Sequence, residues 1–298
     1  MLSLRILINV LEHSSILGIL VIGMIFCLLA GRFDLSSEST LGFSAIVGAW
    51  LVSTNIHFGS GWLWPPVAVV LLMLAMGAAV GCINSFFIIK LRVNAFIVTL
   101  AMLLTLRGFT YVFTNANTMY DFPESFMALG GYSISGMLPV SVILFLGLFL
   151  FSQFVLSYTR FGRDLYAIGG NRAAAFAAGI RVDRQTFAAF VISGMLGGLA
   201  GWVLAGRLQA VTIGLGEGMV FEVFAAAVIG GVSLSGGKGN MMGPLGGVLL
   251  LGVITTGLSV MPISSFWVDA VRGVLILAAV VLWRITEIYE ERWRKSIP

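Results

Sequence analysis

Charge is what this chain has least of. Asp, Glu, Lys and Arg together make up 10% of its 298 residues, whereas a water-soluble domain ordinarily carries about a quarter. Cysteine and histidine are scarcer still, at two each. Cys27 and Cys82 both fall inside apolar runs, which argues against a disulfide framework or metal-ligand spacing and leaves inert buried thiols. His13 and His57 are isolated, so no nucleophile, base or metal cluster supports an enzymatic reading. Gly236-Gly-Lys-Gly239 lacks the Gly-x-x-x-x-Gly-Lys-Ser/Thr pattern of a phosphate loop, and Asn240 follows it, so no nucleotide site is expected. The net charge of +4 does not indicate nucleic acid, because the basic residues are few and lie between apolar runs rather than along one stripe.

What is abundant is apolar sequence. Hydrophobic residues reach 59% and mean hydropathy is +1.03, which no single water-soluble core of this length requires. The expected class is an all-α, polytopic integral membrane protein forming a single transmembrane domain over residues 1–298 in the lipid bilayer. About nine apolar segments are predicted, at 10–30, 41–53, 67–89, 95–113, 137–157, 187–206, 219–232, 243–261 and 266–283. A full span needs about 20 apolar residues. The second and seventh segments are short and adjoin polar, Gly/Ser-rich stretches, so they are expected to be broken or partly re-entrant helices. Non-helical backbone at membrane depth survives only beside protein or a water-filled cavity. Both places are therefore pathway candidates.

Loop charge orients the segments. The connections at 31–40, 90–94, 158–186, 233–242 and the tail from Arg284 hold 13 of the 17 Lys and Arg, whereas the opposite connections hold only Arg207. That bias makes the first side cytoplasmic, together with the C-terminus. Nine spans then place Met1 outside with Arg5 beside it, as though one more helix belonged upstream. No signal-peptide pattern accounts for this.

The most basic connection is also the most structured. Tyr158 to Gln185 carries Arg160, Arg163, Arg172, Arg181 and Arg184. Within it Asn171 is a suitable N-cap, Arg172 to Ala178 are good helix formers, and Gly179 suits a left-handed helix stop. Ala173, Phe176, Ala177 and Ile180 supply a small apolar face. Two readings stand at this level: a helix that fits a groove in another protein, and an interfacial helix anchored to lipid headgroups.

The words Gly162-Arg-Asp-Leu-Tyr-Ala-Ile-Gly-Gly-Asn171, Ala174-Ala175, Gly179-Ile180 and Arg181-Val-Asp-Arg184 resemble the cytoplasmic coupling loop of the ribose/xylose/arabinose/galactose family of ABC-importer permeases. Four further stretches resemble that family in the same order: Gly31-Arg-Phe-Asp-Leu-Ser36, Lys90 to Leu100, Ala225 to Gly231, and Ser233-Leu-Ser-Gly-Gly-Lys-Gly239. The resemblance implies the type II ABC importer permease fold, with its first helix apparently absent here. It implies a permease subunit of the bacterial cytoplasmic membrane that moves a monosaccharide or similar solute inward. Its implied partners are a second permease copy or paralogue, a cytoplasmic ATP-binding subunit and an extracytoplasmic solute-binding protein. ATP belongs to the ATPase partner, and no cofactor is implied on this chain. The coupling residues it implies are Asn171, Arg172, Ala174, Phe176, Gly179, Ile180 and Arg181. The chain departs from the family's usual Gly-Gly-Ile-Asp-Leu-Ser-Val-Gly-Ser at Arg32, Ser37 and Glu38, and from the usual acidic residues after the loop Asn at Arg172 and Ala173.

The remaining polar residues complete the expectations. Asp34, Ser36, Ser44, Glu222, Gly230, Ser233 and Ser235 are the translocation-pathway candidates, with the helices after Leu41 and before Gly231 lining the cytoplasmic half of a conduit. Arg107 falls within the fourth segment, where a lone charge costs about 2.5–3.5 kcal/mol unless paired or hydrated, or else it marks a span boundary placed a turn too far. Asp269 and Arg272 have the spacing of a helix-surface pair. Small residues four apart at Gly77/Gly81, Gly194/Gly198, Gly197/Gly201 and Gly243/Gly247 are a helix-packing signal. Trp283 to Lys295 read as an interfacial helix. The alternatives from other classes are a self-sufficient channel or ion-coupled carrier, which needs paired ionisable residues at mid-membrane, and a non-transporting assembly subunit.

Overall fold

The computed structural model describes residues 4–54, 59–61, 64–114, 117–134, 138–260 and scattered positions between 267 and 285. Its elements in chain order are α1 (Leu4–Leu29), α2 (Ser37–Val52), α3 (Pro66–Ile89), α4 (Ala95–Thr114), α5 (Glu124–Gly131), β1 (Ser133–Ile134), β2 (Leu138–Pro139), α6 (Val140–Tyr158), α7 (Arg160–Gly170), α8 (Arg172–Ala177), α9 (Val182–Leu208), α10 (Met219–Ile229) and α11 (Met242–Val260). Eight of the nine expected segments coincide with helices. The ninth, 266–283, is described only at scattered positions, which are helical, and His57, the Asp269/Arg272 pair and nearly all of the tail lie outside the described residues.

Among the described residues, six helices are long and apolar enough to cross a membrane: α1, α3, α4, α6, α9 and α11. α2 and α10 are the short ones, as expected. The all-α expectation needs one small correction, because β1 and β2 pair antiparallel with Ser133 opposite Pro139. Pro139 precedes α6 with extended backbone, where its missing N–H costs no helix hydrogen bond. Pro66 opens α3 in the same way, its fixed φ suiting the first helical turn.

The core is built around α1 and α2. Every residue from Ser14 to Ala30 is buried, the signature of a helix that is apolar all round and enclosed by neighbours. α1 packs against α6, α9, α10 and α11. In α2 all residues but Phe43 and Trp50 are buried. By contrast only 28% of the spanning window of α3 and 22% of that of α4 are buried, so these two helices form an outer wall facing lipid or another chain.

Glycine sets how closely the walls approach. A Cβ on Gly77 would strike the Gly194 carbonyl, one on Gly194 would strike Gly77, and Gly81 and Gly198 meet the backbones of Phe190 and Met73. The two spaced pairs read from the sequence thus face each other across α3 and α9. Gly197 and Gly201 receive Thr40 and Leu41 of α2, and Gly243 and Gly247 lie against Gly230 and Ala226 of α10. Small residues let backbones come this close, so dispersion contacts replace a hydrophobic drive that lipid cannot supply.

Candidate functional site

Three of the motif stretches meet at one end of the bundle, built from backbone rather than from large side chains. Gly31 follows α1, Gly169 lies near the end of α7, and Gly236 and Gly237 belong to the 233–239 loop. A Cβ on Gly169 would strike Leu29 and Gly237, and one on Gly236 would meet Gly31 at 2.8 Å and Gly169 at 3.0 Å. Gly31, Gly236 and Gly237 have φ of +69°, +90° and +69°, which L side chains rarely adopt. The contact is fastened by Gly237 N–H donating to Leu29 C=O at 3.1 Å and by the Tyr166 hydroxyl donating to Gly239 C=O at 2.7 Å. Ser233 and Ser235 belong to this packed loop, where the Ser235 N–H donates to the Ser233 hydroxyl at 3.2 Å.

α7 and α8 stand on that base. The Thr159 hydroxyl accepts from Gly162 N–H at 3.2 Å to start α7, and Asn171 Oδ1 accepts from Ala174 N–H at 3.0 Å to start α8. Gly179, at φ +84°, stops the helix, with Ile180 N–H donating back to Ala175 C=O at 3.1 Å. The Asn171 cap and the Gly179 stop are the ones the sequence calls for, whereas the Thr159 cap and α7 were not anticipated. Ala175 is the buried anchor, whereas Phe176 is 74% exposed. A groove of about 890 Å³ runs beside it, lined by Arg172, Phe176, Gly179, Ile180, Arg181 and Asp183 among others. Ala174, the residue whose N–H receives the Asn171 cap, lies on the same helix.

The pathway candidates do not form one cluster. Asp34 and Ser36 sit in a buried polar network: Asp34 Oδ1 accepts from the Ser36 N–H at 3.0 Å and hydroxyl at 2.6 Å, and Oδ2 accepts from the Ser193 hydroxyl of α9 at 2.6 Å. Asn84 of α3 donates to the Ser36 hydroxyl at 2.8 Å. Burial pushes the Asp34 carboxyl above its ordinary range, and the hydrogen bonds from Ser193 and Ser36 act against that shift. Ser44 lies farther along α2, its hydroxyl donating to Leu41 C=O at 3.1 Å, packed against Gly201. Glu222 lies in the first turn of α10, with an oxygen 3.8 Å from His13 Nε2 of α1. Gly230 lies against Pro244 at the start of α11.

One buried charge cluster was only half legible in sequence. α4 continues to Thr114, so Arg107 is not a misplaced span boundary. It stands 12 residues after Ala95, about 18 Å along the helix axis. Its Nη2 lies 3.0 Å from Glu38 Oε1, and Nη1 donates to the carbonyls of Ile213 at 3.4 Å and Leu215 at 3.2 Å. Glu38 Oε2 accepts from Val220 N–H at 2.9 Å. Val220 is the second residue of α10, where unpaired N–H groups and the helix dipole favour an anion. Arg107 stood out as a charge inside an apolar run, but its partner gave no such signal. Among the described residues no group of three His, Cys, Asp or Glu is placed to hold a metal ion.

Residues 6–280 match the family model described as "Branched-chain amino acid transport system / permease component". The chain is 36% identical to the ribose import permease protein RbsC of Escherichia coli K12 over 279 residues, covering 93% of this chain and 84% of that one. It is 35% identical to the L-arabinose transport system permease protein AraH of the same strain over 95% of this chain and 82% of that protein. It is 34% identical to the D-allose transport system permease protein AlsC of that strain, over 93% and 82% respectively. No solved structure matches the chain.

Proposed function

We propose a specific role for this chain on the premise that it belongs to the branched-chain amino acid transport system / permease component family and is a non-catalytic, multi-pass membrane permease. It is the membrane subunit of an ABC importer that carries a monosaccharide or similar solute inward, driven by a separate ATPase. Sugar is preferred over amino acid as cargo because the ribose, arabinose and allose permeases each align along more than nine-tenths of the chain. The proposed partners are a second permease copy or paralogue, a cytoplasmic ATP-binding subunit and an extracytoplasmic solute-binding protein. The proposed location is a bacterial cytoplasmic membrane, with 266–283 as the closing span and the C-terminus on the side of α7 and α8.

The observation that carries the coupling part is α8 itself. A six-residue helix has little stability of its own, yet here it is capped at both ends, seated on Ala175, and turns Phe176 outward beside a groove. A fixed helix with one exposed aromatic transmits a push better than a loose loop does. The face formed by Asn171, Arg172, Ala174, Phe176, Gly179, Ile180 and Arg181 is the ATPase contact in this reading.

Asp34, Ser36, Ser44, Glu222, Gly230, Ser233 and Ser235 keep their proposed role as pathway residues, with Asp34 and Ser36 the best supported. Their carboxylate and hydroxyl tie together α2, α3 and α9, the interface through which the short α2 would shift during a transport cycle.

The test is reconstitution of the chain with an ATPase subunit and binding protein in proteoliposomes, followed by uptake of labelled ribose, arabinose, allose and leucine. ATP-dependent uptake of at least one monosaccharide is expected. Uptake that ignores ATP would favour a self-sufficient carrier, and uptake of leucine alone would overturn the sugar assignment.

A further inference from the structure

The two places where the sequence departs from the sugar-permease pattern in favour of arginine, Arg32 after α1 and Arg172 at the start of α8, lie far apart in the chain but line one recess. Its volume is about 530 Å³, and Arg92, Ile88, Ile89 and Asp183 also line it. Arg172 is engaged by Asp183 at 3.1 Å. The guanidinium groups of Arg32 and Arg92 have no hydrogen-bond or ion-pair partner among the described residues. The recess therefore holds three cationic groups against one carboxylate. Burial lowers the Arg32 guanidinium from its ordinary range, and the charge of Arg172 lowers it further. The Asp183 carboxylate acts against both effects, and a further anion in the recess would favour the cation more.

The position of the recess indicates which anion. It opens where α3 ends at Ile89 and α4 starts at Ala95, the turn between two apolar helices that are mostly uncovered. Exposed apolar side chains adjoin its lining residues along the chain, including Phe87, Leu91, Phe96 and Ile97. Arg92 itself is held at φ +55°, a backbone conformation that non-glycine residues seldom keep without a constraint from their surroundings. We propose that this recess binds the phosphate group of an anionic phospholipid, with Arg32, Arg92 and Arg172 around the headgroup and the acyl chains lying over Phe87, Leu91 and Phe96. Basic pockets at the ends of spanning helices bind such headgroups by the same chemistry. A bound lipid would tie the turn between α3 and α4 to α8, and so make the proposed coupling helix responsive to membrane composition.

The proposal is tested on the detergent-purified chain alone, so its outcome does not depend on the transport reading. Native mass spectrometry and thermal unfolding would compare added phosphatidylglycerol, phosphatidylcholine and inorganic phosphate. Retention and stabilisation by phosphatidylglycerol over phosphatidylcholine are expected, with little response to inorganic phosphate. Arg32→Gln and Arg92→Asn should each weaken that preference about fivefold, the effect of one basic side chain near a lipid surface. Asn tolerates the left-handed backbone at position 92, so loss of folding does not confound that variant. Arg160→Gln, an exposed arginine outside the recess, should leave the preference unchanged. Equal response to the two lipids, or equal loss in Arg160→Gln, would overturn the site. A response to inorganic phosphate as large as to phosphatidylglycerol would overturn the lipid source while upholding phosphate binding. Intact lipid preference in both the Arg32 and Arg92 variants would likewise overturn the site.

Discussion

Glu38 and Arg107, 69 positions apart in the chain, meet at 3.0 Å and join the start of α2 to the interior of α4. The pair also binds backbone: Arg107 donates to the Ile213 and Leu215 carbonyls, and Glu38 accepts from Val220 N–H at the α10 N-terminus. A paired charge at this depth is the feature expected of an ion-coupled carrier. Here both groups bridge three helices, which suits a structural lock better than a proton relay.

That lock makes an asymmetric prediction. With side chains only 11% and 5% exposed, Arg107→Met leaves an uncompensated buried carboxylate and Glu38→Gln an uncompensated buried guanidinium. Each should cost about 3–5 kcal/mol, whereas removing both charges together should recover much of that loss. Thermal unfolding of the purified single and double variants measures this. Additive losses in the double variant would show that the pair is not coupled.

The glycine contact beneath α7 yields a second prediction. Tyr166→Phe removes one hydrogen bond to Gly239 and should cost about 0.5–1.5 kcal/mol. Gly169→Val should cost more, because its Cβ would overlap the backbones of Leu29 and Gly237, forcing the loop and α7 apart. If α7 and α8 depend on this base, limited proteolysis near Asn171 will accelerate in Gly169→Val and scarcely change in Tyr166→Phe. Unchanged cleavage in both would detach the loop contact from coupling-helix order.

Much of this arrangement was visible in the sequence, because it depends on local rules. The Asn171 cap, the Gly179 stop and the approximate positions of eight helices follow from local sequence. The Gly77/Gly81 and Gly194/Gly198 pairs announced close packing, though not that they pack on each other. Contacts across long separations were hidden: Asp34 with Ser193 spans 159 positions, and no local pattern pairs a serine with a distant carboxylate. Arg107 was conspicuous because a charge is rare in an apolar run. Glu38 was not, since it sits among serines that read as a loop. The dispersal of the pathway candidates has the same origin. Ser44 and Gly230 share small size with pore-lining residues, but the structure uses that smallness against Gly201 and Pro244. That packing use stands beside their proposed pathway role.

Phe176 supplies the coupling prediction. Because it is 74% exposed, Phe176→Asp should change the stability of the isolated chain by no more than about 0.5 kcal/mol. Loss of an aromatic anchor from an interface commonly costs about 2 kcal/mol or more, roughly thirtyfold in affinity. Pull-down of the ATPase subunit should therefore fall sharply with membrane insertion intact. Asn171→Ala, which removes the α8 cap, should weaken the same association to a lesser degree through a loss of about 1 kcal/mol in helix stability. Full ATPase association and normal uptake in Phe176→Asp would remove α8 from the coupling interface.

Orientation provides the last prediction. Thirteen of the 17 basic residues lie on the side of α7 and α8 in the expected topology, and positive connections are retained in the cytoplasm. Two exposed positions report on opposite sides: Phe176 on α8, and Tyr132 just before β1, 65% exposed. Single cysteines at each, in a chain where Cys27 and Cys82 are replaced by alanine, can be treated in intact cells with a membrane-impermeant thiol reagent. The cysteine at 132 should react, and the one at 176 should react only after the membrane is opened. Because one candidate spanning helix, α6, separates position 132 from α7, reversal at one position alone would break the alternation as well as the charge rule. Labelling of position 176 from outside would place α8 beyond reach of a cytoplasmic ATPase and would defeat the coupling assignment outright.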